Sequence, residues 1–251
     1  MPRALVTNDD GIDSPGLREL ARVVDELGHD VIVAAPHQEA SGTSCSLSSV
    51  QQDGRTVVER RELDGDGRVP AYSVVASPAF ISLIALRSAF GQPPEMVVSG
   101  INDGPNTGRA VIHSGTVGAA LTAATYGTRG LAVSMELGQP RHWHASHELV
   151  RTAVRALAAS PVGTTLNLNI PNRPVGEILG LRQATLAPFG TVQHQVAESG
   201  EGFVKLAYAE PAEAAPAGSD AALLAEGFAT VTALQATAEL HVAGLDDLLA
   251  E

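Results

Sequence analysis

The chain has 251 residues, 44% of them apolar, and a formal net charge of −12. A chain of this length can bury a substantial core, and the acidic balance, without any Lys/Arg-rich run, excludes a protein that coats nucleic acid. The single cysteine, Cys45, excludes an intrachain disulfide, and no segment has the pattern of a signal peptide or a membrane span. We therefore expect a cytoplasmic protein that contacts neither membrane nor nucleic-acid polymer.

The first 35 residues carry the pattern of a βαβ unit. The apolar run Ala4–Val6 predicts a buried strand, and Ser14-Pro15 predicts the start of a helix. Apolar residues at spacings of three and four extend this helix from Leu17 to its end at Gly28. Residues 30–35, "DVIVAA", predict a second buried strand. Such a unit implies a parallel sheet with a right-handed crossover.

Strand and helix patterns continue to alternate as far as residue 171. A hairpin is predicted where residues 56–63 and 68–75 flank "DGDG". The remaining segments alternate in type and are, in order, helix 79–89, strand 96–99, helix 115–126, strand 131–135, helix 144–159 and strand 165–170. This pattern predicts an α/β protein with a Rossmann-like, doubly wound, mostly parallel sheet and a β-hairpin excursion.

The alternation of strand and helix patterns ends after Pro171. The segment "PFGTVQHQVAESGEGFVKLAY" predicts strands that project from the body. We therefore divide the chain into a catalytic core, residues 1–171, and a C-terminal extension, residues 172–251. The extension is expected to form a hairpin arm and a final helix, to serve in oligomerisation, and not to continue the sheet.

Polar segments follow three of the predicted strands: "NDDG" at 8–11, "PHQEASGTS" at 36–44 and "SGINDGPNTG" at 99–108. Ligands of doubly wound sheets bind beyond the carboxyl ends of the strands. If these strands are neighbours, four oxygen-bearing side chains converge there, namely Asp9, Asp10, Ser41 and Asn102. Oxygen donors without thiolate or imidazole suit one hard cation, Mg²⁺ or Mn²⁺. A cation would also relieve the repulsion between the two adjacent carboxylates.

A predicted anion site adds to this metal site. The segment "HSGTVGAA" places Ser114, Gly115 and Thr116 at the start of a helix, where free amides and the helix dipole attract a phosphate. A metal centre facing such a helix suits phosphoryl transfer. Either Asp9 or Asp10 could orient or deprotonate the attacking water. His113 could donate a proton to the leaving oxygen, or it could simply pack.

The segments "TNDDGIDSPG", "APHQEASGTS", "VVSGINDGPNTG" and "HSGTVGAA" resemble the signature segments of the SurE survival-protein family. The resemblance covers roughly residues 3–135, and "LNLNIP" resembles the strand that follows. It implies a metal-dependent phosphatase that acts on nucleoside monophosphates, with a Rossmann-like core and a C-terminal arm exchanged between subunits of a homodimer or homotetramer.

Carried over by position, the resemblance implies a role for each matching residue. Asp9, Asp10, Ser41 and Asn102 would bind one divalent metal, and Asp9, Asp10 and Asn102 are the expected catalytic residues. The resemblance makes Asn106, Ser114, Gly115 and Thr116 the expected contacts to the phosphate. Apart from the resemblance, Gly42 and His113 are further expected substrate contacts.

The surroundings of the motifs differ from the family pattern. Residues 38–40, "QEA", replace basic residues of the family, His113 replaces a frequent Tyr, and residues 76–81, "ASPAFI", replace "GTPxDC". A phosphatase for another small monoester, such as a sugar phosphate or a secondary metabolite, is therefore an alternative. A second alternative is a homologue that binds metal or phosphate without catalysis.

Two other enzyme classes fit the pattern less well. A dinucleotide-binding oxidoreductase would need G-x-G-x-x-G after the first strand, and a covalent aspartyl-phosphate phosphatase would need Asp-x-Asp. The segment "RHWHASHE", with His142, His144 and His147, lacks the spacing of a zinc helix. It is interpreted as a loop-to-helix junction, or as a rim where Trp143 stacks on the substrate.

Overall fold

The computed structural model describes residues 1–63, 67–190, 193–209, 214–239, 241 and 243. The α-helices are α1 (Pro15–Glu26), α2 (Pro78–Leu86), α3 (Gly115–Thr125), α4 (Trp143–Ala159) and α5 (Asp220–Glu226). The strands are β1 (Arg3–Thr7), β2 (Asp30–Pro36), β3 (Gln51–Gln52), β4 (Arg55–Thr56), β5 (Val58–Arg61), β6 (Ala71–Val74), β7 (Met96–Asp103), β8 (Arg129–Met135), β9 (Thr165–Ile170), β10 (Leu181–Gln183), β11 (Gln193–Gly200), β12 (Phe203–Ala209) and β13 (Ala229–Leu234). Two short 3₁₀ helices cover Gly108–His113 and Val175–Glu177.

The central sheet has nine strands in the order β10-β13-β9-β8-β7-β1-β2-β6-β5. The six strands from β9 to β6 run parallel to one another, while β5 lies antiparallel to β6 and β13 lies antiparallel to β9. The predicted doubly wound α/β sheet is therefore confirmed. The hairpin formed by β5 and β6 is also observed, although residues 64–66 of its predicted turn lie outside the described residues.

Apolar cores cover both faces of the sheet. On one face α1 and α4 pack against the sheet and against each other, with Leu17, Leu20, Val154 and Leu157 fully or almost fully buried. On the other face α2 and α3 pack together over strands β1, β2 and β7. The inner strands are apolar on both faces because helices cover both faces.

The chain reverses its direction of winding at β1. From β1 it proceeds outward through β2 to β6 on one side, and then returns to β7 and continues to β8 and β9 on the other. The point where strand order reverses is where doubly wound sheets leave a crevice for ligands. Asp9 and Asp10 follow β1, and Asn102 lies in β7, so the predicted metal ligands flank this switch point.

The C-terminal part of the chain corrects one expectation. Residues after 171 were expected not to continue the sheet, but β10 and β13 are two of its nine strands. The reason is that every residue of β9 is buried, so its outer edge needs a further strand to satisfy its backbone groups. Strands β11 and β12 do form a separate antiparallel hairpin, as expected.

Candidate metal and phosphate site

The turn after β1 presents the two adjacent carboxylates. Asn8 is completely buried, and its Nδ2 donates to the carbonyl of Gly11 at 3.0 Å and to Ser14 Oγ at 2.7 Å. Ser14 in turn caps α1 by accepting from the backbone N–H of Leu17. The tight turn is therefore fixed to the start of a helix, which holds Asp9 and Asp10 at the carboxyl end of β1.

Asp9 lies at the centre of the site and is 4% exposed. The Thr116 hydroxyl, at the start of α3, donates a short hydrogen bond to Asp9 Oδ1. The same Thr116 oxygen lies 3.1 Å from Asn102 Oδ1. The ends of β1 and β7 and the start of α3 thus meet through three side chains.

The helix N-terminus approaches Asp9 closely because its first residue is glycine. A Cβ added at Gly115 would stand 2.8 Å from Asp9 Oδ2 and 2.9 Å from Thr43 Oγ1, distances that a real Cβ does not tolerate. Burial raises the pKa of the Asp9 carboxyl, while hydrogen bonds from Thr116 and the backbone amide of Gly115 partly oppose this effect. The start of α3 therefore already stabilises negative charge at this point.

Asp10 is partly buried next to Asp9, and the backbone N–H of Asp103 donates to Asp10 Oδ2 at 3.3 Å. Burial and the charge of Asp9 raise the pKa of Asp10 to about 7. The negative charge of Glu39 adds to this rise, and the positive charge of Arg141 opposes it. Two carboxylates at such a point are stable in their charged form only with a cation nearby.

Ser41 and Gly42 lie on an exposed loop that runs beside this cluster. The backbone N–H of Ala40 donates to the carbonyl of Asp9 at 2.7 Å, which ties the loop to the turn after β1. The Ser41 hydroxyl donates to Glu39 Oε1 at 2.8 Å, so its oxygen keeps its lone pairs for another partner. Among the described residues, the Ser41 hydroxyl is bonded to Glu39 and not to Asp9 or Asp10, so its predicted role as a ligand stays a prediction.

Buried Asn side chains hold the loop after β7 in place. Asn106 donates from its backbone N–H to Asn169 Oδ1 at 2.7 Å, and its carbonyl accepts from Asn167 Nδ2 and Asn169 Nδ2, each at 2.8 Å. Its own Nδ2 donates to Ser134 Oγ at 2.8 Å. The position of Asn106 is therefore set by strands β8 and β9.

The other predicted phosphate residues occupy different positions at the start of α3. Ser114 is its N-cap, and its oxygen accepts from the Val117 N–H at 3.1 Å. Thr116 is completely buried, and its hydroxyl is used by Asp9 and Asn102. His113 is exposed at the end of the preceding 3₁₀ helix. Contact of these residues with a phosphate stays a prediction.

The side chains present fit a divalent cation of the hard class. Asp9, Asp10 and Asn102 offer oxygen donors, and burial raises the pKa of both carboxyls. Among the described residues, no group of three or more His, Cys, Asp or Glu side chains is placed to hold a metal. The predicted set does not need such a group, because Ser41 and Asn102 supply two of its four donors.

The histidine-rich segment is part of an ion-pair network and not of the carboxylate cluster. His147 Nε2 lies 3.0 Å from Glu19 Oε2 and 2.8 Å from Arg22 Nη2, so it links α4 to α1. Trp143 begins α4 and lies beneath the Arg141 guanidinium, whose carbon is 5.5 Å from the ring centroid.

Several residues of the site were missed at the level of sequence. Arg141 forms an ion pair with Asp103, and its charge acts on Asp10, although the sequence analysis of its segment gave a role to the histidines and Trp143 and none to Arg141. Asp220 is completely buried and accepts from the backbone N–H groups of Gly108 and Ala187 at 2.8 and 2.9 Å. Asn167 and Asn169, which donate to the carbonyl of Asn106, were also missed. Their alternation in the "NLN" of β9 was a detectable signal, because Asn residues two positions apart in a buried strand indicate one polar network.

This fold and site define a Rossmann-like α/β protein with a carboxylate pair and a helix N-terminus meeting at the switch point of its sheet. A profile described as "Survival protein SurE" matches residues 4–192. The chain belongs to the SurE family.

Named relatives align with most of the chain. A "5'-nucleotidase SurE" of Nitratidesulfovibrio vulgaris is 34% identical over 238 residues, 93% of each chain. A "5'/3'-nucleotidase SurE" of Cronobacter sakazakii is 34% identical over 96% of this chain and 93% of its own. The crystal structure of the SurE protein from Aquifex aeolicus superposes over 100% of both chains with a TM-score of 0.80 at 26% identity. In the part of the chain that the structure describes, no helix has the length and apolar character needed to cross a membrane.

Proposed function

We propose that this protein hydrolyses phosphate monoesters of nucleosides, with one divalent cation, Mg²⁺ or Mn²⁺, bound by Asp9, Asp10, Ser41 and Asn102. The observation that carries the proposal is the contact of the Asp9 carboxylate with Thr116 and Gly115 at the start of α3. It brings the cation-binding and anion-binding halves of a phosphatase site to one point. The nucleotidase names of the relatives support the same reaction.

Each side chain has a definable task in this reaction. When bound, the cation supplies positive charge to the phosphoryl oxygens and lowers the pKa of the attacking water. Asp9 and Asn102 would hold it, and the Thr116 hydroxyl donates to Asp9 and lies 3.1 Å from Asn102 Oδ1. Asp10, which lies beside Asp9 at the end of β1, is the proposed acceptor of the proton of the water.

The phosphate is bound by the residues at the start of α3 and by the preceding loop. Backbone N–H groups of the first turn, from Ser114 to Thr116, supply fixed dipoles directed at negative charge. Asn106 and Gly42 are further proposed contacts of the substrate, and His113, which is exposed, is the proposed proton donor to the leaving oxygen.

Phosphate release tests the function. The purified protein is incubated with nucleoside monophosphates, sugar phosphates and glycerol 3-phosphate, with Mg²⁺, Mn²⁺ or EDTA. We expect metal-dependent release that is greatest from nucleoside monophosphates. Metal-independent release, or silence across the panel, would contradict the proposal.

The assembly and location of the protein are part of the same proposal. Strands β11 and β12 expose Val196, Phe203 and Val204, which are 62%, 49% and 63% exposed. Such an apolar hairpin supports an arm that packs on a second copy, giving the predicted homodimer or homotetramer. The cytoplasmic location also stays a prediction.

A further inference from the structure

The loop between β7 and α3 carries three of the proposed substrate contacts, Asn106, His113 and Ser114. One end of the loop is fixed because the Asn side chains of β9 bond the backbone of Asn106, and the other end is fixed because Ser114 caps α3. Between these ends a 3₁₀ helix begins at Gly108, and this point is bonded to the C-terminal part of the chain. The proposed phosphate contacts are therefore supported by a residue 112 positions later than Gly108.

Asp220, the first residue of α5, provides this support and is completely buried. Its Oδ1 accepts from the backbone N–H groups of Ala187 at 2.9 Å and Ala221 at 2.8 Å. Its Oδ2 accepts from the backbone N–H of Gly108 at 2.8 Å. A buried carboxylate is stable only when donors such as these replace water. One oxygen therefore bonds the C-terminal segments, and the other bonds the loop between β7 and α3.

The same loop also packs backbone against backbone on the segment that leads to β11. The N–H of Arg109 donates to the carbonyl of Ala187 at 3.1 Å. Gly108 has a φ of 61°, and a Cβ added there would stand 2.1 Å from the carbonyl oxygen of Phe189. Any other residue at this position would have to push the loop away from Phe189. The close approach and the carboxylate bond thus fix the same point of the loop.

The proposed metal ligands are held by other contacts. The Thr116 hydroxyl donates to Asp9 and lies 3.1 Å from Asn102 Oδ1. Asn102 Nδ2 also donates to the carbonyl of Gly104 at 2.7 Å, directly after the end of β7. A shift of the loop at Gly108 should therefore displace the phosphate contacts and leave the metal ligands in place.

We propose that Asp220 is a positioning residue of the reaction, which sets the place of the phosphate contacts through the backbone of Gly108. The inference rests on the proposed function and adds a residue of the C-terminal part of the chain to the support of its phosphate site. Because Asp220 is completely buried, its effect on the substrate passes through the loop that carries Asn106 and Ser114.

Asp220→Asn tests the bond between the carboxylate and the loop. The amide has the shape of the carboxylate, and its oxygen can still accept from Ala187 and Ala221, but its NH₂ group then faces the N–H of Gly108 and cannot accept. We expect KM for AMP to rise about tenfold with little change in kcat, because weaker phosphate binding affects the bound substrate and the transition state alike. Mn²⁺ affinity, followed by electron paramagnetic resonance, should stay unchanged. The KM of the wild type in the folded variant would overturn the proposal.

Ser219→Ala is the matched control at the same helix start. Ser219 caps α5 by accepting from the N–H of Ala222 at 3.4 Å, so its replacement weakens the helix and keeps the Asp220 carboxylate. Loss of folded protein lowers the apparent kcat without changing KM, which separates a merely structural role from a positioning role. We expect Ser219→Ala to keep the KM of the wild type. An equal rise of KM in both variants would count against the proposal.

Gly108→Ala tests the same contact from the side of the loop. The added Cβ would displace the loop from Phe189 while the buried carboxylate stays unaltered. We expect KM for AMP to rise about tenfold or more, with unchanged Mn²⁺ affinity. This variant decides the proposal even if Asp220→Asn does not fold, and a KM equal to that of the wild type would refute it.

Binding of inorganic phosphate separates this inference from the proposed function. A titration in excess Mg²⁺, followed by phosphorus NMR, needs no turnover. We expect Asp220→Asn to weaken phosphate binding about tenfold and Ser219→Ala to leave it unchanged. If the wild type hydrolyses no phosphate ester but phosphate binding responds to Asp220→Asn, the proposed function fails and the positioning role stands. If the wild type hydrolyses AMP but neither KM nor phosphate binding responds, the positioning role fails.

Discussion

Replacement of Asp10 by Asn should stabilise the metal-free protein at alkaline pH and destabilise its metal complex. Burial and the neighbouring Asp9 raise the pKa of Asp10 from 3.8 to about 7. A group whose pKa is raised on folding favours the folded state below its unfolded pKa, and this contribution is lost as pH rises through the folded value. In EDTA, the stability of the wild type should therefore fall between about pH 4 and pH 7.

The size of the effect follows from this shift. A shift of about three pKa units corresponds to about 4 kcal/mol, and the access of water to Asp10 reduces this to about 2 kcal/mol. Asn has the shape of the neutral, protonated acid and cannot ionise. Asp10→Asn should thus equal the wild type near pH 4 and exceed its free energy of unfolding by about 2 kcal/mol at pH 8.

Urea unfolding at pH 4, 6 and 8, in EDTA and in excess Mn²⁺, measures this difference. Mn²⁺ at about 100 times its Kd should stabilise the wild type by about 2.7 kcal/mol. It should stabilise Asp10→Asn much less, because one ligand is lost. Asp13→Asn is the control, since Asp13 is exposed and pairs with Arg61 on the surface. A variant no more stable than the wild type in EDTA at pH 8, or one that Mn²⁺ stabilises equally, would refute this reasoning.

Three further substitutions test other parts of the site. Asp9→Asn should abolish Mn²⁺-dependent turnover while circular dichroism shows a folded protein; retained turnover with normal Mn²⁺ affinity would remove Asp9 from the site. Gly115→Ala should lower kcat about 100-fold, because a Cβ there would displace Asp9; Gly176→Ala, where the added Cβ meets open space, is the control and should leave kcat unchanged. Asp220→Ala should lower the free energy of unfolding by about 3 kcal/mol, since three backbone N–H groups lose their acceptor; a loss under about 1 kcal/mol in urea unfolding would contradict its structural role.

The sequence was sufficient to predict the parallel part of the sheet and the position of Asp9, Asp10 and Asn102 near its carboxyl edge. Buried strands, capped helices and polar residues at strand ends are local patterns, and the strand β9 was predicted with its observed limits. The helix cap at Ser14 was likewise predicted and observed. Such features depend on a few neighbouring residues and on the general rule that places ligands at the carboxyl edge of the sheet.

The features that were not predicted depend on contacts between distant segments. The return of β13 to the sheet follows from the buried edge of β9, about 60 residues earlier in the chain. Asp220 supports the loop at Gly108 across 112 positions. Arg141 is linked to the site through Asp103 and not through its own motif. The local composition around Arg141 and Asp220 does not indicate these contacts, because it is typical of loops and helix caps.

The central claim is that one cation held by the paired carboxylates drives hydrolysis of a nucleoside monophosphate. The most direct measurement is a titration of the metal-free protein with Mn²⁺, in which bound Mn²⁺ is followed by electron paramagnetic resonance and AMP hydrolysis is followed in the same samples. The account predicts that activity rises in proportion to the first equivalent of bound Mn²⁺ and then stays constant. Full activity before any Mn²⁺ is bound, or one tightly bound equivalent without activity, would contradict it.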